Sequence, residues 1–333
     1  MTTGRPGTAA APNAAYAGQV VQFPDPVRAE RYPAGVRVDD RGYPDFGRYA
    51  RAAAEVADPP EGFGVDELRL TDYVSANAAL FTEGHELWAD LACPVATPPG
   101  WTWHHAVGGA EPGWRRMELV PVEVKALLRH HGGLARSAAD HTRRGTRPLQ
   151  ERRSAHFSLS KEGGDPVSVP EDLILAAEER LGYRLPGAYR SFLKLGGGRG
   201  PVGVALDPEL GLLLDQPFLT LREDYGVEDL VYANKCLRDH LTKDYLGIAY
   251  AQGGILALKV RGDRIGSVWC CLYDDARDTG APEEPAERVE RLLLPCGDDF
   301  DDFLLRLAGG PPELETVAEL MVDGGFARAV PVP

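Results

Sequence analysis

Cysteine is scarce in this 333-residue chain: there are five, an odd number, and no two form a Cys-x-x-Cys pair. That excludes a disulfide framework or a cysteine-bound zinc as the organising device and makes a reducing compartment the default. Cys270 and Cys271 are adjacent in a strand-like run, which sends them to opposite faces. Long apolar runs are also missing. The opening MTTGRPGTAAAPNAAYAG is rich in small residues but lacks the continuous apolar segment of a secretion signal, and nothing approaches a membrane span. The expectation is a cytoplasmic protein without membrane contact. Internal repeats are absent. The glycine cluster at 196–200 lacks the Gly-Lys-Ser/Thr ending of a phosphate loop and follows a helix instead of opening one, so it reads as a helix stop.

What is present is enough apolar residue, 44%, for a full-sized core. At roughly 100–200 residues per domain, the length favours two domains. Charge divides the chain unevenly. Residues 1–160 carry 18 Lys+Arg against 19 Asp+Glu, a net of −1, whereas 161–333 carry 18 against 31, a net of −13. Within the first half, residues 115–153 hold ten basic residues and four acids, a net of +6. A basic strip beside an acidic domain suits a polyanion-binding site and its mask, and equally a solvated helix and linker.

The pattern along the chain predicts an α+β protein in five segments. Residues 1–35, rich in Ala, Gly and Pro, read as a disordered leader. A first domain spans 36–134. In it Val65 to Phe81 reads as a helix with Leu70, Val74, Asn77 and Phe81 on one side. WTWHH (101–105) and MELV (117–120) read as strands around a glycine turn, and Pro121 opens a helix through Val124, Leu127 and Leu128, stopped by Gly132 and Gly133. Residues 135–166 form a basic linker. A second domain, 167–310, runs helices, then strands, then the Phe300-Phe303-Leu304-Leu307 helix. A C-terminal helix and tail, 311–333, carries Leu314, Val317 and Met321 and packs back on either domain.

Four of the eight histidines fall in WTWHH and the RHHGG segment at 129–133. Adjacent strand residues face opposite ways, so a His-His pair at a strand end can send one imidazole to a metal and the other toward a scissile phosphate. One divalent ion and one neutral imidazole activating water suffice for phosphodiester cleavage. Histidine pairs also serve as packing or capping groups, and His130 and His131 near a helix C-terminus suit the dipole there. His85, His141, His156 and His240 read as surface or packing residues, and Asp274-Asp275 and Glu283-Glu284 as a solvated loop.

RGYPDFGRYA (41–50), DYVSANAALF (72–81), PGWTWHH, MELVP and RHHGG, in this order, resemble the WHH/LHH branch of the HNH/endonuclease VII superfamily of toxin nucleases. The resemblance implies a ββα-metal fold and a divalent ion (Mg, Ni or Zn) if the site is functional. It makes His104 a metal ligand, His105 the general base and His130 a helix-borne ligand, with His131, Glu118 and Lys125 as auxiliaries. Arg115, Arg116, Arg129, Arg143 and Arg144 would contact nucleic acid. Lys125 departs from the family, which carries His a few residues after its LVP; a protonated lysine offers no lone pair to a metal. Glu118 stands where the family more often has Gln.

PEDLILAAEERLGYRLPGAYRSFLKLGGG (170–198), YLGIAYAQGGILALKV (245–260), IGSVWCCLYDD (265–275) and FDDFLLRL (300–307) resemble the SUKH superfamily (Smi/Knr type). That implies a binding scaffold, a mixed sheet flanked by helices, and a nuclease toxin as partner, in cis or in trans. A −13 domain tethered to a +6 strip meets it at high effective concentration and can cover its arginines. The expected function is a toxin–immunity fusion whose nuclease domain is degenerate or masked. The alternatives are a non-enzymatic immunity or decoy protein and a regulatory adaptor.

Overall fold

The computed structural model describes residues 11–58, 65–130, 168–201, 203–207, 210–222, 226–275, 277–278, 283–309 and 312–332. The basic linker, with Arg143 and Arg144, and also His131 and residues 1–10 lie outside these.

Asp25 opens the first helix, α1 (Pro26–Arg31): its carboxylate accepts from the N–H groups of Val27 and Arg28, and Pro26 fills the first helical position. Around it β1 (Val20–Val21), β2 (Val36–Val38) and β3 (Pro44–Asp45) form a small antiparallel sheet. Phe23, Val36, Val38 and Phe46 join Val124 and Leu128 in one apolar cluster. The disordered leader is therefore corrected for residues 11–35, which are built into the first region.

The sheet that positions the histidines has the order β14-β4-β6-β5. It comprises β4 (Ala52–Ala57), β5 (Trp101–His105), β6 (Trp114–Pro121) and, from the far end of the chain, β14 (Ala327–Val330). Side chains alternate across it. Ala52, Ala54, Val56, Trp103, Met117, Leu119 and Ala327 face α2 (Val65–Thr82), and α9 (Pro312–Asp323) packs along α2. Leu70, Val74 and Asn77 are buried as expected, whereas Phe81 is exposed.

α3 (Val122–Lys125) is shorter than the helix expected from Pro121 to Leu128, and His130 lies beyond it. The cause is competition for backbone groups. The Ala126 carbonyl, which would accept from the His130 N–H in a continuing helix, is bonded to His240 Nε2 at 3.0 Å. The His130 N–H donates instead to the Tyr273 carbonyl at 3.3 Å.

The second region opens with α4 (Glu171–Leu181), closed by left-handed Gly182, and α5 (Gly187–Lys194), whose Tyr189, Phe192 and Leu193 point inward. Its main sheet runs β12-β11-β10-β9: β9 (Tyr245–Ala251), β10 (Gly254–Lys259), β11 (Val268–Leu272) and β12 (Leu294–Gly297). A small sheet orders β13 (Ala308–Gly309), β7 (Ala205–Asp207) and β8 (Leu212–Leu214). Helices α6 (Leu230–Lys235), α7 (Pro285–Leu292) and α8 (Phe300–Arg306) complete it. The fold is α+β. The expected mixed sheet is antiparallel in its named pairings; among the described residues parallel character is confined to the isolated bridges His130–Asp274 and Thr220–Asp229. No described helix is long and apolar enough to cross a membrane.

The two regions share their cores. Val122 and Ala126 belong to the cluster of Leu230, Leu237 and Phe300, while Val204, Leu206 and Leu213 belong to that of Trp103 and α2. At the tip of the β9–β10 hairpin, Gly253 (φ +77°) lies so close to α2 that a Cβ there would stand 2.6 Å from the Tyr73 hydroxyl. Only glycine meets both demands.

Candidate functional site

β5 and β6 pair in register, with His104 opposite Glu118 and His105 opposite Met117. The two histidines therefore leave the sheet on opposite faces, as alternation requires.

His105 turns toward α2, only 4% exposed, with Nε2 2.9 Å from Asp72 Oδ2. Arg115 grips the same carboxylate through Nε at 2.9 Å and Nη2 at 2.6 Å. Burial disfavours the Asp72 charge, but the hydrogen bonds from His105 and Arg115 outweigh it and hold the carboxyl below its usual range. Asp72→Asn is expected to cost about 3–5 kcal/mol, since it strands a largely buried guanidinium. A carboxylate with a depressed folded pKa stabilises the fold above its unfolded value and loses that contribution as pH falls through the folded one. The gap in urea midpoint between wild type and variant should thus be widest at pH 7 and begin to narrow only below about pH 4. An equal gap at pH 7 and pH 3 would show that the carboxylate charge is not what matters.

His104 turns to the other face, 3% exposed, beside a cavity of about 640 Å³ also lined by Glu118, Arg116 and Asp45 and bounded by Pro331 and Val332. The Phe46 ring meets His104 edge-on at 4.8 Å, and the His130 ring centroid is 5.1 Å from that of His104. Burial, then the charges of His130 and Lys125, keep the His104 imidazole well below its ordinary pKa. Burial and Lys125 likewise push His130 down to about 3. Both rings are neutral at pH 7. His130 Nδ1 lies 3.2 Å from the Leu128 carbonyl and takes the proton there, leaving Nε2 as a bare acceptor. His130 Nε2 and His104 Nδ1 are buried without hydrogen-bond partners.

Lys125 is buried beside them. Its ammonium donates to the Trp103 carbonyl, and burial pushes it down to about 7 against the opposing pull of Asp274. Glu118 is bonded to Arg116 (3.3 Å), and burial raises its carboxyl above the usual range against that partner. The described arginines of the strip are each engaged: Arg115 is held by Asp72 and Asp58, Arg116 by Glu118 and the Pro331 carbonyl, Arg129 by both oxygens of Asp278 at 2.6 and 2.8 Å.

Residues 94–140 match the family model described as a nuclease of the HNH/ENDO VII superfamily with conserved WHH. Residues 168–306 match the SMI1/KNR4 family (SUKH-1). No match was found among curated proteins. The WHH-type and SUKH-1-type regions stand in the order the motifs implied.

The HNH/ENDO VII superfamily is generally metal-dependent, so the donor set must be weighed. Two bare imidazole nitrogens suit a divalent ion, but among the described residues no three His, Cys, Asp or Glu side chains are placed to hold one. Lys125, where the resemblance would place a histidine, is buried. The described residues as arranged do not fit a metal.

Motif reading missed what surrounds these residues. From α2 it missed Asp72; from the SUKH-1-type region it missed Asp215, Gln252, Asp274 and Asp278. Gln252 Oε1 accepts from the Trp103 N–H (3.3 Å) on the edge strand β5, and its Nε2 donates to Asp215 (2.9 Å), which also accepts from the Thr97 N–H (3.0 Å). Asp274 and Asp275, expected in a solvated loop, are buried. Asp72 and Asn77 had one signal, polar residues inside an apolar helix; the others had none.

Proposed function

We propose that this chain is a binding protein: a WHH nuclease fold, disarmed as a catalyst, carried by a SUKH-1-type domain whose partners are nuclease toxins. SUKH domains typically bind such toxins. The observation that supports disarmament is the burial of the general-base candidate. His105, the general-base candidate, is sealed against α2 by Asp72, while His104 lines the cavity across the sheet. A base that must reach a phosphate-bound water within about 3 Å cannot act from there.

Full-length protein should leave plasmid DNA and total RNA intact with Mg²⁺, Ni²⁺ or Zn²⁺. Metal-dependent cleavage that disappears in both His104→Ala and His105→Ala would sink this reading. The Arg116–Pro331 contact at the cavity favours a second reading, a nuclease masked by the last segment. That reading requires cleavage to appear in the full chain when Pro331 and Val332 are replaced by glycine.

A further inference from the structure

The cavity beside His104 has one wall whose side chains are tied together by geometry. His104 and Glu118 stand opposite each other in the β5–β6 register, so they leave the same face of the sheet with Cβ atoms about 5 Å apart. Gly47 joins Glu118 to Asp45: a Cβ placed on it would stand 3.2 Å from Asp45 Oδ1 and 3.6 and 3.7 Å from the two Glu118 oxygens. The Phe46 ring meets His104 edge-on. Arg116 donates to Glu118 Oε1 at 3.3 Å, and the Gly47 N–H donates to Asp45 Oδ1 at 3.0 Å. Among the described residues Glu118 Oε2 and Asp45 Oδ2 accept no hydrogen bond, and His104 Nδ1 is buried without a partner. The charged side chains lining the cavity are Asp39, Asp45, Glu118 and Arg116. Arg116 is already held by Glu118 and the Pro331 carbonyl, and Asp39 by Arg41.

We propose that this cavity binds a guanidinium group on a short apolar stem, carried by a small molecule or by an arginine side chain, with Asp45 and Glu118 as its carboxylate partners and His104 as a neutral acceptor. The lining carries more carboxylate than cation, so it repels a phosphodiester and draws a positive charge. A divalent ion needs several donors at about 2.0–2.6 Å, and no such group is placed among the described residues. A guanidinium does not need that convergence: its five N–H donors form a planar fork that reaches two separate carboxylates at hydrogen-bond length. An ammonium is a compact, more strongly hydrated donor and gives up more on leaving water. Pro44, Phe46, Val107 and Val332 supply apolar wall for the stem. The proposal rests on the disarmed reading only in treating the cavity as a place of binding and not of cleavage, and it adds the class of ligand.

The test is calorimetric titration of the full chain with ethylguanidinium, with the peptide Gly-Arg-Gly and with pentathymidylate. One guanidinium per chain should bind, with a dissociation constant of about 1 mM or tighter. Asp45→Asn and Glu118→Gln should each weaken it about tenfold, the loss of one charged hydrogen-bond partner. Asp298→Asn, an exposed carboxylate of the SUKH-1-type region, should leave it unchanged and so separates a built site from general attraction to an acidic protein. Tighter binding of Gly-Arg-Gly than of ethylguanidinium supports a protein-borne arginine, and the reverse supports a small guanidino compound. Absence of saturable binding of both cations by folded wild type overturns the proposal, as does binding indifferent to Asp45→Asn, or pentathymidylate binding tighter than either cation. Should Glu118→Gln not fold because Arg116 loses its partner, Asp45→Asn decides alone, since that carboxylate is exposed. Nucleic-acid cleavage by the wild type would instead overturn the functional reading and leave the guanidinium titration to be judged separately.

Discussion

Stopping the chain after residue 311 is expected to abolish folding of the sheet that carries the histidines, whose nearest remaining strand ends at Pro121, 190 residues earlier. β14 pairs with β4 over four residues, from Ala327 opposite Val56 to Val330 opposite Ala53. α9 buries Leu314 and Ala318 in the cluster that holds Val74, Ala78 and Trp103. Without them β4 becomes an exposed apolar edge, and such edges pair with other chains. Each large side chain uncovered costs about 1.5–3 kcal/mol. Several together approach the about 5–15 kcal/mol that holds a typical domain. The truncated protein should appear in the insoluble fraction or lose the near-ultraviolet signal of Trp103. A soluble monomer with the wild-type melting curve would show that the sheet is complete without its last strand. The same reasoning applies to any fragment of the first 160 residues, which is why the cleavage assay requires the whole chain.

Glu123→Gln is expected to cost as much as the loss of the Asp72 carboxylate. Glu123 is fully buried and accepts from Arg28 Nε (3.2 Å), Arg31, the Tyr32 hydroxyl (2.7 Å) and the Tyr232 hydroxyl (3.4 Å). Arg28 is equally buried and has no route to water. Breaking such a pair from one side costs about 3–5 kcal/mol. The urea midpoint should fall accordingly, whereas Arg31→Ala, which removes a partly exposed partner, should cost about 1 kcal/mol or less. Near-equal losses for the two variants would mean that Arg28 finds another acceptor. Because Tyr232 belongs to α6, the carboxylate ties three separate stretches of chain, and the loss should be felt in both regions.

Much of the architecture was legible from local pattern. The glycine turn between two strand-like runs, the α5 stripe of Tyr189, Phe192 and Leu193, and the Phe300–Leu307 spacing all mark where elements form, because burial of a periodic face is decided within a few residues. The leader from 11 to 35 was misread although a signal stood in it: Asp25-Pro26 is a helix start, outweighed by the Ala, Gly and Pro around it. α3 was read too long because Val124, Leu127 and Leu128 keep helical phase while the hydrogen bonds have already been taken by His240 and Tyr273. Pairings across hundreds of residues leave no such mark. Nothing in the run around Asp274 tells that its carboxylate is buried, and nothing in ARAV (327–330) names β4 as its neighbour. The motif residues of the site could be found in sequence; their surroundings, which decide what they can do, could not.

The late arrival of β14 also sets an order of events during synthesis. When residue 130 leaves the ribosome, β4, β5 and β6 are already outside it, yet the sheet lacks an edge, the Trp103 N–H lacks Gln252, and α2 lacks its cover. Those parts are translated 120 to 200 residues later. The SUKH-1-type segment, whose main sheet is drawn from residues 245–297, is therefore in place before the WHH-type fold can close. A translating cell that makes this chain never holds the nuclease-like half in finished form without its companion.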